Sequence, residues 1–190
     1  MSGGPSPGFR SAPFRFLGET SQFRGWRIEL TEARFEAPDG HVFTRAVVRH
    51  PGAVAVVAVT DDDEVVLVRQ YRPAVDRDLL EIPAGTRDVD GEAPETTARR
   101  ELLEEVGAVA ARVEPLGTMF NSPGFCDEET HLFLATGLEL GPTQPSGLEE
   151  QHMQTVTVAL ADVDTLVDSG ELVDALSILG ILLARRRLGR

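Results

Sequence analysis

The segment Arg99-Arg100-Glu101-Leu102-Leu103-Glu104-Glu105-Val106-Gly107 crowds three carboxylates into five residues. At ~100° per residue in a helix, Glu101, Glu104 and Glu105 stand at i, i+3 and i+4 and share one face. Ala98, Leu102 and Val106, at i, i+4 and i+8, form a neighbouring apolar edge that Leu103 widens. Such a helix buries one side and sets concentrated negative charge beside it. Like charges at i,i+4 destabilise a helix by about a few tenths of a kcal/mol. Two arrangements offset that cost. One is a solvated face on which Arg100 pairs with Glu104. The other is a hard cation, and Mg²⁺ suits the donor set because it takes a few carboxylates, substrate phosphates and several waters.

These residues need elements to hold them. Pro94 suits the first turn of a helix and Gly107 its C′ position, so the spacing predicts a helix of three to four turns between them. Ahead of it, Pro83, Gly85 and Gly91 mark a loop. Upstream, residues 14–18, 26–37 and 41–50 read as three strands, with Trp26, Ile28 and Leu30 alternating on the second. The run 53–59 is continuously apolar, as in a strand buried on both faces, and 65–72 is the next strand. Further strands are expected at 113–122, 130–137 and 153–160, then a short helix from Ala161 and a final amphipathic helix over 171–188. The pattern is mixed α/β, with helices covering a mostly β core.

Composition narrows the function. The 190 residues, 42% apolar, suffice for one well-buried core with a small appendage. No apolar run reaches the ~18–20 residues of a membrane span, and the Gly/Pro/Ser-rich start has no signal-peptide core, so no membrane association is expected. The lone Cys126 cannot form an internal disulfide, which fits a reducing cytoplasm. A net charge of −13 with no basic stripe argues against nucleic acid. Against that charge, an anionic phosphate ester needs a metal and local arginines to reverse the field.

Residues 85–108 resemble the Nudix box, G-x5-E-x7-R-E-U-x-E-E-x-G-U with U aliphatic. Glu92, Arg100, Glu101, Leu102, Glu104, Glu105, Gly107 and Ala108 fall in register. Seven residues separate Glu92 from Arg100, as in the pattern, whereas six rather than five separate Gly85 from Glu92. The extra residue falls in the loop and leaves the helical register intact. Outside the box, 69–73 and 79–85, the loop 122–128 and the closing helix resemble the ADP-ribose pyrophosphatase branch, with Pro123 sixteen residues past Gly107.

The resemblance implies an α/β fold: a Nudix-type α/β/α sandwich with a mixed sheet, plus a small N-terminal antiparallel β appendage. It divides the chain into a flexible tail (1–13), an appendage used in dimerisation (14–50) and a Nudix hydrolase domain (51–190). It implies Glu101 and Glu105 as the main Mg²⁺ ligands, Glu104 as a supporting or shared one, and the Ala84 carbonyl as a backbone ligand; Mn²⁺ is the alternative ion. Arg100 would hold a box carboxylate by a forked hydrogen bond. The base for the attacking water would come from the loop before the last strand, Glu150 in one register and Glu149 in the other.

Pro123 would mark the substrate loop. Arg72 would pair with the diphosphate, or be an ordinary strand-edge arginine. Trp26 would stack on adenine, in the partner subunit's site, or be a core residue. Glu81 would bind a second metal or ligand, or be structural.

The expected activity is Mg²⁺-dependent hydrolysis of ADP-ribose, or a close nucleoside diphosphate sugar, to AMP and ribose 5-phosphate by a cytoplasmic homodimer. The rivals are hydrolysis of another nucleoside diphosphate derivative (FAD, NADH or a dinucleoside polyphosphate) and a non-catalytic ADP-ribose sensor.

Overall fold

A computed structural model of the protein describes residues 13–145 and 150–190, with the backbone alone at Glu150. The chain divides into two compact units, one of residues up to His50 together with Ser122–Asp127, the other of Pro51–Asn121 and Glu128–Arg190.

The first unit is an antiparallel sheet in the order β1 (Arg15–Arg24), β2 (Glu29–Glu36), β3 (Val42–Arg49). The sequence marks only 14–18 as its first strand. The strand runs on to Arg24 because it pairs with β2 along its whole length, with bulges between Phe16 and Gly18 and between Ser21 and Phe23. Pairing of main chains carried it through a stretch with no apolar alternation. Rings from all three segments meet: Phe35 stacks on Phe43 at 5.7 Å, flanked by Phe16 and Phe14. The loop 122–127 adds a parallel bridge to β3, with Val48 N–H donating to the Phe125 carbonyl at 2.7 Å and Asp127 N–H to the Val48 carbonyl at 3.1 Å. Arg49 ties the ends together, donating to Glu19 on β1 and to Asp127 at 3.0 Å.

The second unit is built on a seven-stranded mixed sheet. Its strands are β4 (Ala53–Val59), β5 (Glu64–Arg72), β6 (Arg77–Glu81), β7 (Ala84–Thr86), β8 (Ala108–Phe120), β9 (Glu129–Leu140) and β10 (Gln154–Ala159). The main path runs β10-β5-β4-β9-β8, with β6 paired to β5 and β7 to β4, and only β4–β9 is parallel. Every residue of β4 is buried, as its continuous apolar run predicts. Val54, Val56 and Ala58 pack against Ala98, Leu102 and Val106 of α1 (Pro94–Val106). Ala55, Val57 and Val59 face the other way, toward Ile181 and Ala184 of α3 (Ala175–Leu188) and Val163 of the short α2 (Val163–Asp168). This alternation, period two on the strand against helices on both faces, is the α/β/α sandwich.

Several boundaries differ from the pattern: β8 begins at Ala108 and not at 113, β9 runs on to Leu140, and β6 is a strand the pattern does not mark. The final helix begins at Ala175, not 171, because the Asp174 side chain caps it by accepting from Ser177 N–H. The three-residue β7 lies where the sequence shows a loop, imposed by its pairing with β4. Among the described residues no helix is long and apolar enough to cross a membrane.

Candidate active site

The acidic helix is α1. Pro94 opens it, and Gly107 ends it in the left-handed conformation at φ 64°, with its N–H returned to the Leu103 carbonyl. Its apolar edge is buried against β4, and this carries Glu101 and Glu105 inward until they are 5% and 6% exposed.

Each buried carboxylate is fitted to β7. Ala84 N–H donates to Glu105 Oε2 at 3.0 Å. Gly85 faces Glu101 so closely that a Cβ there would stand 2.0 Å from the carboxyl carbon and 2.2–2.3 Å from its oxygens. Gly85 is therefore required by a close approach and not by its backbone angles.

Arg100 stands over the same face. Its Nη1 lies 2.8 Å from Glu101 Oε1 and 3.4 Å from Glu104 Oε2, and its Nη2 lies 3.5 Å from Glu92 Oε2 and 3.6 Å from Asp88 Oδ1. Burial pulls this guanidinium down, but the combined field of Glu101, Glu104, Glu92 and Asp88 outweighs it and holds the group above its ordinary value. Glu92 points into the helix start, accepting from the Thr97 hydroxyl at 2.8 Å. It bridges Thr97 to Arg100 and braces the first turn, which has no side-chain cap at Ala93.

A second charged group stands on β5 and β6. Arg72 forks onto Glu81, Nε to Oε1 at 2.9 Å and Nη2 to Oε2 at 2.5 Å, and Gln70 Nε2 donates to Glu81 Oε2 at 3.2 Å. Glu81 raises the Arg72 guanidinium above its ordinary value despite burial, and Glu105 and Asp174 add to that field. Arg72 therefore senses one carboxylate of α1, that of Glu105.

The structure thus brings Arg72, Glu81, Ala84, Arg100, Glu101, Glu104 and Glu105 into the second unit, around β6, β7 and α1. Trp26 and Pro123 belong to the first unit. Trp26 is neither on a strand nor in a core. It lies in the bend between β1 and β2, closed by Gly25 N–H donating to the Ile28 carbonyl, and is 88% exposed. The Arg27 guanidinium sits 4.3 Å over its ring. Glu149 and the side chain of Glu150 lie outside the described residues. What precedes them is fixed to α1: Gly141 N–H donates to the Gly107 carbonyl at 2.8 Å and Gln144 N–H to the Glu104 carbonyl at 3.0 Å. Sequence reasoning passed over Gln70, Thr97 and Asp88. Gln70, two residues before Arg72 and so on the same face of β5, and Thr97, four residues before Glu101 on the same face of α1, carry a periodicity that points to them, whereas Asp88 does not.

The donor set is hard oxygen throughout, and the missing side chain of Gly85 is what lets the Glu101 carboxylate lie against β7. Among the described residues no three His, Cys, Asp or Glu side chains form a ready-made metal site. A partial cradle of this kind fits an ion that keeps waters and completes its shell with substrate oxygens, and does not fit a closed four-ligand site.

Comparison with known proteins gives the following. The family model described as the NUDIX domain matches residues 49–176. The ADP-ribose pyrophosphatase of Bacillus subtilis (strain 168) is 40% identical over 166 residues, covering 87% of this chain and 89% of that protein. The ADP-ribose pyrophosphatase of Mycobacterium tuberculosis (strain ATCC 25618 / H37Rv) is 38% identical over 169 residues, covering 89% and 82%. Among solved structures, an ADP compounds hydrolase superposes with a TM-score of 0.81 over 95% of this chain and 97% of that one, at 22% identity, a likeness of fold.

Proposed function

We propose a function from one established premise: this chain belongs to the Nudix family and is a diphosphatase of it. The substrate is ADP-ribose or a close nucleoside diphosphate sugar, and the products are AMP and ribose 5-phosphate. The observation that carries this reading is the pair of buried carboxylates, Glu101 and Glu105, fitted against Gly85 and the Ala84 amide. The two ADP-ribose pyrophosphatase relatives supply the substrate class.

Glu101, Glu105 and the Ala84 carbonyl would hold Mg²⁺, with Glu104 in support and Mn²⁺ as a substitute. The ion supplies positive charge against the diphosphate oxygens and makes water more acidic. Arg100 keeps the box carboxylates from repelling one another apart. Arg72 orients the diphosphate with the Nη1 edge that its fork to Glu81 does not use. Glu81 fixes Arg72, and a ligand role for it is the alternative. Glu150, or Glu149 in the other register, removes the proton from the attacking water.

Trp26, with its exposed ring, stacks on the adenine in the partner subunit's site, and Pro123 shapes the substrate loop. The chain acts as a homodimer through its first unit, whose Phe14, Phe16, Phe23 and Trp26 are all exposed in the single chain. The lone Cys126 suits a cytoplasmic location.

A hydrolysis panel tests the reading: ADP-ribose, other nucleoside diphosphate sugars, FAD, NADH and dinucleoside polyphosphates, each with Mg²⁺ and then with EDTA. ADP-ribose should give the highest kcat/KM, and EDTA should abolish turnover. No ADP-ribose hydrolysis in Mg²⁺ or Mn²⁺ overturns it.

A further inference from the structure

The segment Glu81-Ile82-Pro83-Ala84 changes partners. Glu81 ends β6 opposite Val68 of β5, and Ala84 begins β7 opposite Ala55 of β4. Between them the main chain is buried and has no continuous ladder, so each N–H must find its own acceptor.

Each amide outside the ladder has an acceptor. Ile82 N–H donates to Ser177 Oγ at 2.9 Å. Pro83 has no N–H, and its carbonyl accepts from Val56 N–H at 2.9 Å. Ala84 N–H donates to Glu105 at 3.0 Å. The segment is therefore pinned at its two available amides by two side chains from two helices, Glu105 of α1 and Ser177 of α3.

Ser177 is itself held. It is fully buried, its hydroxyl donates to Asp174 Oδ2 at 2.6 Å, and its own N–H donates to the same oxygen at 2.8 Å. With its proton committed to Asp174, the hydroxyl turns a lone pair to Ile82. Gly180, one turn along α3, lets the helix approach, since a Cβ there would stand 3.1 Å from Ile82 Cδ1 and from Val57 Cγ2.

We propose that Ser177, oriented by Asp174, is a positioning residue of the metal cradle. It fixes the main chain at Ile82 and so sets where the Ala84 carbonyl and the Glu81 carboxylate stand. The proposal rests on the reading of Ala84 and Glu105 as ligands. Without the hydroxyl, a buried N–H loses its acceptor, and the segment relaxes toward one that supplies it. Supporting groups of this kind typically change metal affinity by about 10–100-fold.

The test is direct Mn²⁺ binding to the substrate-free full chain, read from the electron paramagnetic resonance signal of the free ion. Thermal denaturation runs beside it, on wild type, Ser177→Ala, Asp174→Ala and Glu105→Gln. Wild type should bind Mn²⁺ and Glu105→Gln should lose it. Ser177→Ala should bind about tenfold or more weakly at temperatures well below its melting point. Asp174→Ala, which keeps the hydroxyl but frees it to turn and also removes the cap of α3, should fall between Ser177→Ala and wild type in Mn²⁺ affinity, with a lower Tm from the lost cap. A purely structural hydroxyl would lower Tm and leave Mn²⁺ affinity alone, so binding by Ser177→Ala within about twofold of wild type overturns the proposal. Should Ser177→Ala not fold, wild-type affinity in Asp174→Ala overturns it instead. If wild type and Glu105→Gln bind equally, the ligand reading itself fails and takes this proposal with it.

Discussion

A Cβ on Gly85 would stand 2.0 Å from the carboxyl carbon of Glu101, so the missing side chain of one residue is the space the other occupies. Gly85→Ala must push the carboxylate away or shift β7. A displacement of about 1 Å at a reacting centre costs about 10²-fold in rate, and overpacking costs about 1–3 kcal/mol of stability. Steady-state hydrolysis of ADP-ribose at saturating Mg²⁺ should show the first, and thermal denaturation the second. A rate within about threefold of wild type would take Glu101 out of the ligand set.

Glu101→Gln and Glu105→Gln keep shape and remove charge. In Glu105→Gln the amide oxygen still accepts from Ala84 N–H, so the fold is expected to persist. The rate should nevertheless fall by about 10²–10³-fold or more, because the electrostatic part of the metal's effect goes with the charge. Near-wild-type turnover at saturating Mg²⁺ in either variant contradicts its role.

Arg100→Met keeps an apolar stem and leaves Glu101, Glu104 and Glu92 facing one another without their shared cation. Stability should fall by about 1–2 kcal/mol after solvent screening. The deficit should shrink as the pH is lowered, because protonating the carboxylates relieves the repulsion. Added Mg²⁺, which binds the native state, should raise Tm more in the variant than in wild type. Equal Tm values for both proteins without metal would show that Arg100 does not hold the face together.

Glu150→Gln should lower kcat by about 10²–10⁴-fold with little change in substrate binding, and Glu149→Gln should do much less. The reverse ranking moves the base by one residue. If neither variant slows turnover tenfold, the base lies elsewhere, and Asp127, Glu128 and Glu129 are the next to replace.

Light scattering at micromolar concentration should return the mass of a dimer. Trp26→Ala should raise KM for ADP-ribose with kcat nearly unchanged, as expected for loss of a stacking partner. Trp26 is the sole tryptophan, so substrate binding should also quench the wild-type emission. A monomer mass sinks the assembly, and an unchanged KM sinks the stack.

The cradle was legible where one helical period wrote it. Glu101, Glu104 and Glu105 share a face because of their spacing alone, and the buried edge of Ala98, Leu102 and Val106 follows from the same count. The continuous apolar run of β4 likewise announced a strand covered on both sides. What escaped was imposed by distant main chain. β7 is three residues with no pattern of their own, and it exists because β4 offers it a partner. The second half of β1 is polar apart from Phe23 and pairs all the same. Trp26 suggested alternation with Ile28 and Leu30, but Gly25 closes a bend that takes it off the strand. Ser177 carries no mark in the sequence, since nothing local reveals an acceptor needed by Ile82, 95 residues away.

That separation bears on how the protein comes into being. The hydrogen bond from Ile82 to Ser177 and the parallel pairing of β4 with β9 both join parts of the chain made far apart in time. Contacts of long sequence separation form late, and a chain folds as it emerges at about 5–20 residues per second. The acidic helix and its β7 neighbour can meet early, but the segment between β6 and β7 keeps the Ile82 amide without its acceptor until α3 arrives. A nascent chain arrested before residue 177 would therefore hold its carboxylates in hand and still lack a finished cradle.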